Sequence, residues 1–242
     1  MKRIMLIGGT DSSGGAGLTR DTAVTQDHGC LAKPVVTCVT AQTNSAVSLI
    51  HQLPANIISE EIKAGFADTP PDAIKIGMVG SNAAALAIAN ALTCAMNGCD
   101  LPIVLDPVLN ASSGGVLSTL EGAAPLFQIA SLLTPNLDEA ATLSGQPLAK
   151  TSVDLSRQAG ILRRHRAQAV LIKGGHRRGE RCCDQLFEEQ NRREFCLPRL
   201  AQSKRGTGCT LATAIACQLA AGHDLQKACW RAKIYVQAWM SR

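Results

Sequence analysis

The residues best suited to chemistry stand together at Lys204-Arg205-Gly206-Thr207-Gly208-Cys209-Thr210. Apolar residues follow at 211, 212, 215, 216 and 219, the spacing of one helix face, which predicts a helix opening near residue 208. The first N–H groups of a helix have no partner within it, and with the helix dipole they attract an anion. A thiol in that field is expected to ionise more readily than a free cysteine. Gly206, Thr207 and Gly208 are therefore candidates for an anion hole, with Cys209 as the ionisable group beside it. Taken alone, the stretch reads more economically as a loop-to-helix junction holding a buried cysteine.

Other polar residues change that balance. Gln42, Asp106, Asn136 with Glu139, and Lys173 each stand at or just beyond the C-terminal end of an apolar run. In open α/β sheets that edge is where ligands bind. Asp106 and Glu139 offer the oxygen ligands that Mg²⁺ takes, and Lys173 is a point charge suited to a polyphosphate. With an anion hole, these parts suit phosphoryl transfer, in which Cys209 would take a proton from the attacking hydroxyl. A covalent cysteine nucleophile would need a histidine base, and no clear Cys–His pairing is present. His176 lies in a suggestive loop, but a capping or surface role suits it equally. A second glycine loop, residues 8–17, fits neither the dinucleotide fingerprint nor the P-loop. Asp21 follows it by one turn and either points back to the loop or faces solvent.

The elements that must position these groups alternate. Strands are predicted at 4–7, 34–40, 73–78, 102–105, 131–133 and 169–172, with a hairpin at 182–187 and 193–197. Helices are predicted at 18–27, 55–65, 82–96, 152–165, 208–221 and 224–240. The alternation calls for an α/β fold, a mainly parallel sheet with helices on both faces, in a single domain spanning 1–242.

Composition bounds the rest. Hydrophobic residues make up 46% of 242, enough for a sizeable core, while aromatics at 3% argue against base stacking on nucleic acid. The net charge of +5 is mild, and the groups at 163–166 and 177–178 read as solvated faces. The ten cysteines form no CxxC pair and have no histidine at zinc-ligand spacing. They are expected to be mostly reduced, buried small hydrophobes of a cytoplasmic protein. The N-terminal apolar run is too short for a signal peptide, and no window is long enough to span a bilayer.

The chain resembles the hydroxymethylpyrimidine/phosphomethylpyrimidine kinases of thiamine biosynthesis, within the ribokinase-like superfamily. The resemblance rests on Gly9-Thr10-Asp11-Ser12-Ser13-Gly14-Gly15-Ala16-Gly17, Val39-Thr40-Ala41-Gln42, Lys75-Ile76-Gly77-Met78, Val104-Leu105-Asp106-Pro107-Val108, Leu133-Thr134-Pro135-Asn136 with Glu139-Ala140, Ile172-Lys173-Gly174-Gly175-His176 and Gly206-Thr207-Gly208-Cys209-Thr210, in that order. It implies a three-layer α/β/α sandwich binding ATP and Mg²⁺, the 206–208 loop as anion hole and Cys209 as general base. It places Gly9, Asp21, Gln42 and Met78 around a pyrimidine. Asn136, Lys173, Arg205 and Thr207 fall on the ATP side, and Asp106 and Glu139 by the metal. It also implies a homodimer. The family usually has His where Arg205 stands, Gln-Ala before the acid at Asp21 where Thr19-Arg20 stand, and Lys after Val108 where Leu109 stands. Pyridoxal kinase on the same scaffold, or a non-catalytic pyrimidine-binding module, are the rival readings.

Overall fold

The computed structural model describes residues 1–108, 120–165, 167–175, 179–189 and 191–242. His176, Arg177 and Arg178, Arg166 and the 109–114 departure from the family pattern lie outside the described residues. In chain order the elements are β1 (Arg3–Gly8), α1 (Gly17–Asp27), β2 (Leu31–Val36), β3 (Cys38–Gln42), β4 (Val47–Gln52), α2 (Ala55–Ala67), β5 (Ala73–Ile76), α3 (Asn82–Met96), β6 (Ile103–Leu105), α4 (Leu120–Phe127), β7 (Leu132–Leu133), α5 (Leu137–Ser144), α6 (Ser152–Arg164), β8 (Ala169–Ile172), β9 (Arg181–Phe187), β10 (Arg192–Pro198), α7 (Thr207–Ala220) and α8 (Leu225–Met240).

Eight strands form one sheet in the order β10-β9-β8-β7-β6-β5-β1-β2. From β8 to β2 every neighbouring pair is parallel, while β9 and β10 join as an antiparallel hairpin. The short parallel strands are apolar on both faces because helices cover both. Met5, Ile7, Ile74, Ile76, Ile103, Leu105, Leu133, Val170 and Ile172 pack into one core with Ile58 and Ile62 of α2, Ile88 and Leu92 of α3 and Leu155 and Leu162 of α6. The alternate residues Ile4, Leu6, Ala73, Val104, Leu132, Ala169 and Leu171 face the second core, with Leu18 of α1, Leu211 and Ile215 of α7 and Ala228 of α8. The expected three-layer α/β/α arrangement follows from this two-residue alternation. Lys75 breaks it: a lysine on the second face, 1% exposed.

Four elements differ from what the sequence predicts: one strand is split and β4, α4 and α5 are additional. The strand expected at 34–40 splits at Thr37, whose N–H donates to Gly8 O and whose hydroxyl donates to Met78 O. Beyond that break β3 leaves the main sheet and pairs with β4, which the sequence reading missed because most of its side chains are exposed and no buried face imposes a pattern. Helices α4 and α5 were also not anticipated. In α5, Asn136 accepts from the Glu139 N–H while Glu139 accepts from the Asn136 N–H, a capping box that opens the helix.

Eight of the ten cysteines are free thiols, as expected, but one pair is bonded and few of the rest are buried. Cys183 and Cys196 face each other across β9 and β10 and form a disulfide. Of the free cysteines only Cys38, Cys217 and Cys229 are buried, while Cys94 and Cys99 are exposed. Pairing register put two thiols side by side, and spacing along the chain does not reveal register. Among the described residues no helix is long and apolar enough to cross a membrane.

Candidate active site

Because β1, β5, β6, β7 and β8 are parallel, the residues that follow them emerge on one edge: Gly9, Gly77-Met78, Asp106, Asn136 and Lys173. An isolated parallel bridge between Asn136 and Lys173 extends the alignment of β7 and β8 to the site. A cavity of about 930 Å³ opens there, and Gly9, Asp21, Gln42, Met78, Asp106, Asn136, Glu139, Lys173 and Arg205 through Cys209 all border it. The sites expected from sequence thus converge. A smaller cavity of about 260 Å³ by Gln146–Leu148 and α6 lies apart from them and gathers none.

The 206–209 loop forms as its composition requires. Gly206 has φ +79°, and a Cβ there would lie 2.2 Å from Gly15 O, so only glycine fits without backbone movement. It starts α7 with no side-chain cap. The N–H groups of the first turn, in Thr207, Gly208 and Cys209, are therefore left for an anion. A Cβ on Gly208 would stand 3.3 Å from Asp106 Oδ2 and 3.4 Å from Lys173 Nζ, which shows how closely this turn lies on those two side chains.

Lys173 Nζ donates to Asp106 Oδ1 at 2.7 Å and lies 3.9 Å from Glu139 Oε2, and the Thr134 hydroxyl also donates to Asp106 Oδ1. Burial opposes the charge on Lys173, but Asp106 and Glu139 outweigh it and raise its pKa. Burial also works against the Asp106 carboxylate, yet Lys173 and Lys75 hold it below the ordinary range. Glu139 is less well compensated: burial pushes it up to about 6, Lys173 opposes and Asp106 adds to the rise. A carboxylate pair sharing one lysine is short of positive charge, and its donor set of hard oxygens fits a divalent cation.

Beneath the loop is a group that the sequence reading quoted only as part of a motif. Lys75 Nζ donates to Asp21 Oδ2 at 2.6 Å, and the Thr213 hydroxyl of α7 donates to Asp21 Oδ1. Asp21 is fully buried, so its alternative as a solvent-facing acid is overturned. Burial opposes the Lys75 charge, but Asp21 and then Cys209 and Asp106 hold its pKa well above the ordinary value. One sequence signal existed: a lone lysine within the four-residue strand Ala73–Ile76.

The expected easy ionisation of Cys209 is not found. Burial pushes its thiol up to about 11; Lys75 and a Gly17 backbone hydrogen bond pull down, and Asp21 and Asp106 push up. Two buried carboxylates and desolvation outweigh the helix terminus here. Arg205, expected on the ATP side, turns its guanidinium toward the first glycine loop and Gln42.

The family model described as phosphomethylpyrimidine kinase matches residues 11–242. A hydroxymethylpyrimidine/phosphomethylpyrimidine kinase of Rhizobium meliloti is 36% identical over 97% of this chain and 89% of its own. A bifunctional thiamine biosynthesis protein of Geobacter sulfurreducens is 38% identical over 97% of this chain, which spans 48% of that longer protein. The crystal structure of phosphomethylpyrimidine kinase from Clostridium difficile superposes with TM-score 0.84 at 32% identity, covering 98% and 99% of the two chains. Pyridoxal kinase from Staphylococcus aureus in complex with ADP gives 0.89 at 28%, covering 99% and 88%. Fold and relatives thus define a ribokinase-like kinase. More narrowly, the chain belongs to the phosphomethylpyrimidine kinase family.

Proposed function

We propose that this kinase transfers a phosphoryl group from ATP to the hydroxymethyl oxygen of 4-amino-5-hydroxymethyl-2-methylpyrimidine, and then to the resulting monophosphate, in thiamine biosynthesis. The observation that carries the reading is the uncapped first turn of α7 lying directly on the Lys173–Asp106 pair. Anion-binding N–H groups, a lysine and two carboxylates meet where a transferred phosphoryl group would need them. Gly9, Gln42 and Met78 border the acceptor half of the cavity, and Asp21 underlies it. Asn136, Lys173 and Thr207 serve the ATP phosphates, while Arg205 lies on the acceptor side with Gln42. Asp106 and Glu139 would hold Mg²⁺, which when bound offsets phosphate charge.

In this reading the acceptor O–H gives its proton to the Cys209 thiolate as its oxygen bonds to phosphorus and the bond to the ADP leaving oxygen breaks. Thr207, Gly208 and Cys209 N–H groups hold the charge on the transferred group. The Cys209 thiol, pushed up to about 11, first gives its proton to solvent, and Lys75 favours the resulting thiolate. Cys209→Ala is expected to fold, bind the pyrimidine and lose about 10²–10⁴-fold in kcat. Near-normal kcat would remove the general-base role. A second reading, pyridoxal as acceptor, draws on the pyridoxal kinase superposition. ADP release with the pyrimidine, its monophosphate, pyridoxal and ribose separates the two, since turnover of pyridoxal alone moves the activity to that vitamer. The homodimer and cytoplasmic location belong to the same proposal.

A further inference from the structure

Arg205 makes four polar contacts at the site's rim. Nη1 donates to the Ser13 hydroxyl at 2.7 Å and to Thr43 O at 2.9 Å, and lies 3.4 Å from Asp11 Oδ2. Nη2 donates to Gln42 Oε1. Asp11 is itself fixed, its carboxylate accepting from the Ser13 N–H, the Ser13 hydroxyl and the Ala16 N–H. Gln42 in turn donates through Nε2 to the Thr40 hydroxyl at 2.8 Å, which donates to Thr10 O. Both ends of the Gln42 amide are thus committed. A guanidinium only donates, so the bond from Arg205 fixes the amide oxygen toward the arginine and the NH₂ toward Thr40. What remains for a ligand is one N–H and one lone pair, in a set orientation.

We infer that Arg205 is a positioning residue for acceptor recognition: it fixes the orientation of the Gln42 amide at the cavity and so selects which flat heteroaromatic alcohol is accepted. The inference deepens the functional reading above and rests on it. Arg205 acts through Gln42, and its anchoring by Asp11, Ser13 and Thr43 keeps the guanidinium from swinging to the phosphates.

The test is steady-state kinetics of Arg205→Met, Arg205→Lys, Gln42→Met and the Arg205→Met/Gln42→Met double variant, with the KM for hydroxymethylpyrimidine and for ATP measured separately, and calorimetric binding of the pyrimidine to each protein. Arg205→Met should raise the pyrimidine KM about tenfold, the scale of one hydrogen bond to a charged group, while the ATP KM moves less than about twofold. Arg205→Lys, which keeps one charged donor, should recover part of that loss. The double variant should cost no more than Gln42→Met alone, as expected when one residue acts through the other. Additive losses, or a change confined to the ATP KM, overturn the inference. So does wild-type turnover of the pyrimidine with Arg205→Met unaltered. Wild-type protein that neither binds nor phosphorylates the pyrimidine overturns the functional reading, and this inference with it.

Discussion

Lys75→Met removes the cation from an ion pair that water does not reach. The two side chains are 2.6 Å apart and 1% and 0% exposed. Breaking a buried pair by deleting one member strands the other charge and costs about 3–5 kcal/mol. For a chain of this size, at roughly 2–4 °C per kcal/mol, Tm should fall by roughly 6–20 °C. The loss should depend on pH, with a sign that follows from Asp21. Burial already pushes its pKa up, against the pull of Lys75 and Thr213. Without Lys75 the folded-state pKa rises further above the unfolded value of about 3.9. A raised carboxylate pKa leaves stability intact below the unfolded pKa and removes it as pH rises through the folded one. The deficit of Lys75→Met should therefore be larger at pH 8 than at pH 5. Adding Asp21→Asn removes the stranded charge and should restore most of the loss, although neither variant is expected to phosphorylate normally, since Lys75 also favours the Cys209 thiolate. Thermal unfolding followed by circular dichroism at the two pH values is sufficient. A deficit below about 1 kcal/mol, an equal deficit at both pH values, or a double variant no better than the single one would refute the reasoning.

Two further outcomes are expected. Glu139→Gln keeps the capping-box geometry but removes a carboxylate whose pKa is raised from 4.5 to about 6. Its Tm should exceed that of wild type above pH 6 by the equivalent of up to about 2 kcal/mol, the difference closing below about pH 4.5, while ADP release falls; a lower Tm at pH 8 would contradict the charge imbalance. Gly206→Ala places a Cβ 2.2 Å from Gly15 O at a positive φ, so both stability and turnover should drop, and unaltered turnover by ADP release would show that the two loops need not interlock.

Much of the site was legible because it sits where chain order meets sheet topology. Apolar runs ending in Asp106, Asn136 and Lys173 announce strands, and parallel strands bring their C-terminal ends to one edge whatever the details of packing. Gly206 was named only for its place ahead of a helix, and its positive φ and close approach to Gly15 emerged with the fold. What the sequence by itself determined was therefore the fold class and which of these residues gather at one edge of the sheet. The tertiary structure decided how those residues are charged and which partners they take. Lys75 was unremarkable until α1 and α7 enclosed it with Asp21 and Thr213. Cys209 stands at a helix N-terminus that favours a thiolate, yet desolvation and two carboxylates from α1 and the end of β6 reverse the balance. Arg205 carries no mark of the contacts it makes with residues about 160 to 190 positions away. Cys183 and Cys196 likewise became partners only through hairpin register. Periodicity and turn chemistry act over a few residues and can be read locally, whereas desolvation, pairing register and long-range charge depend on which distant segments the folded chain brings into contact.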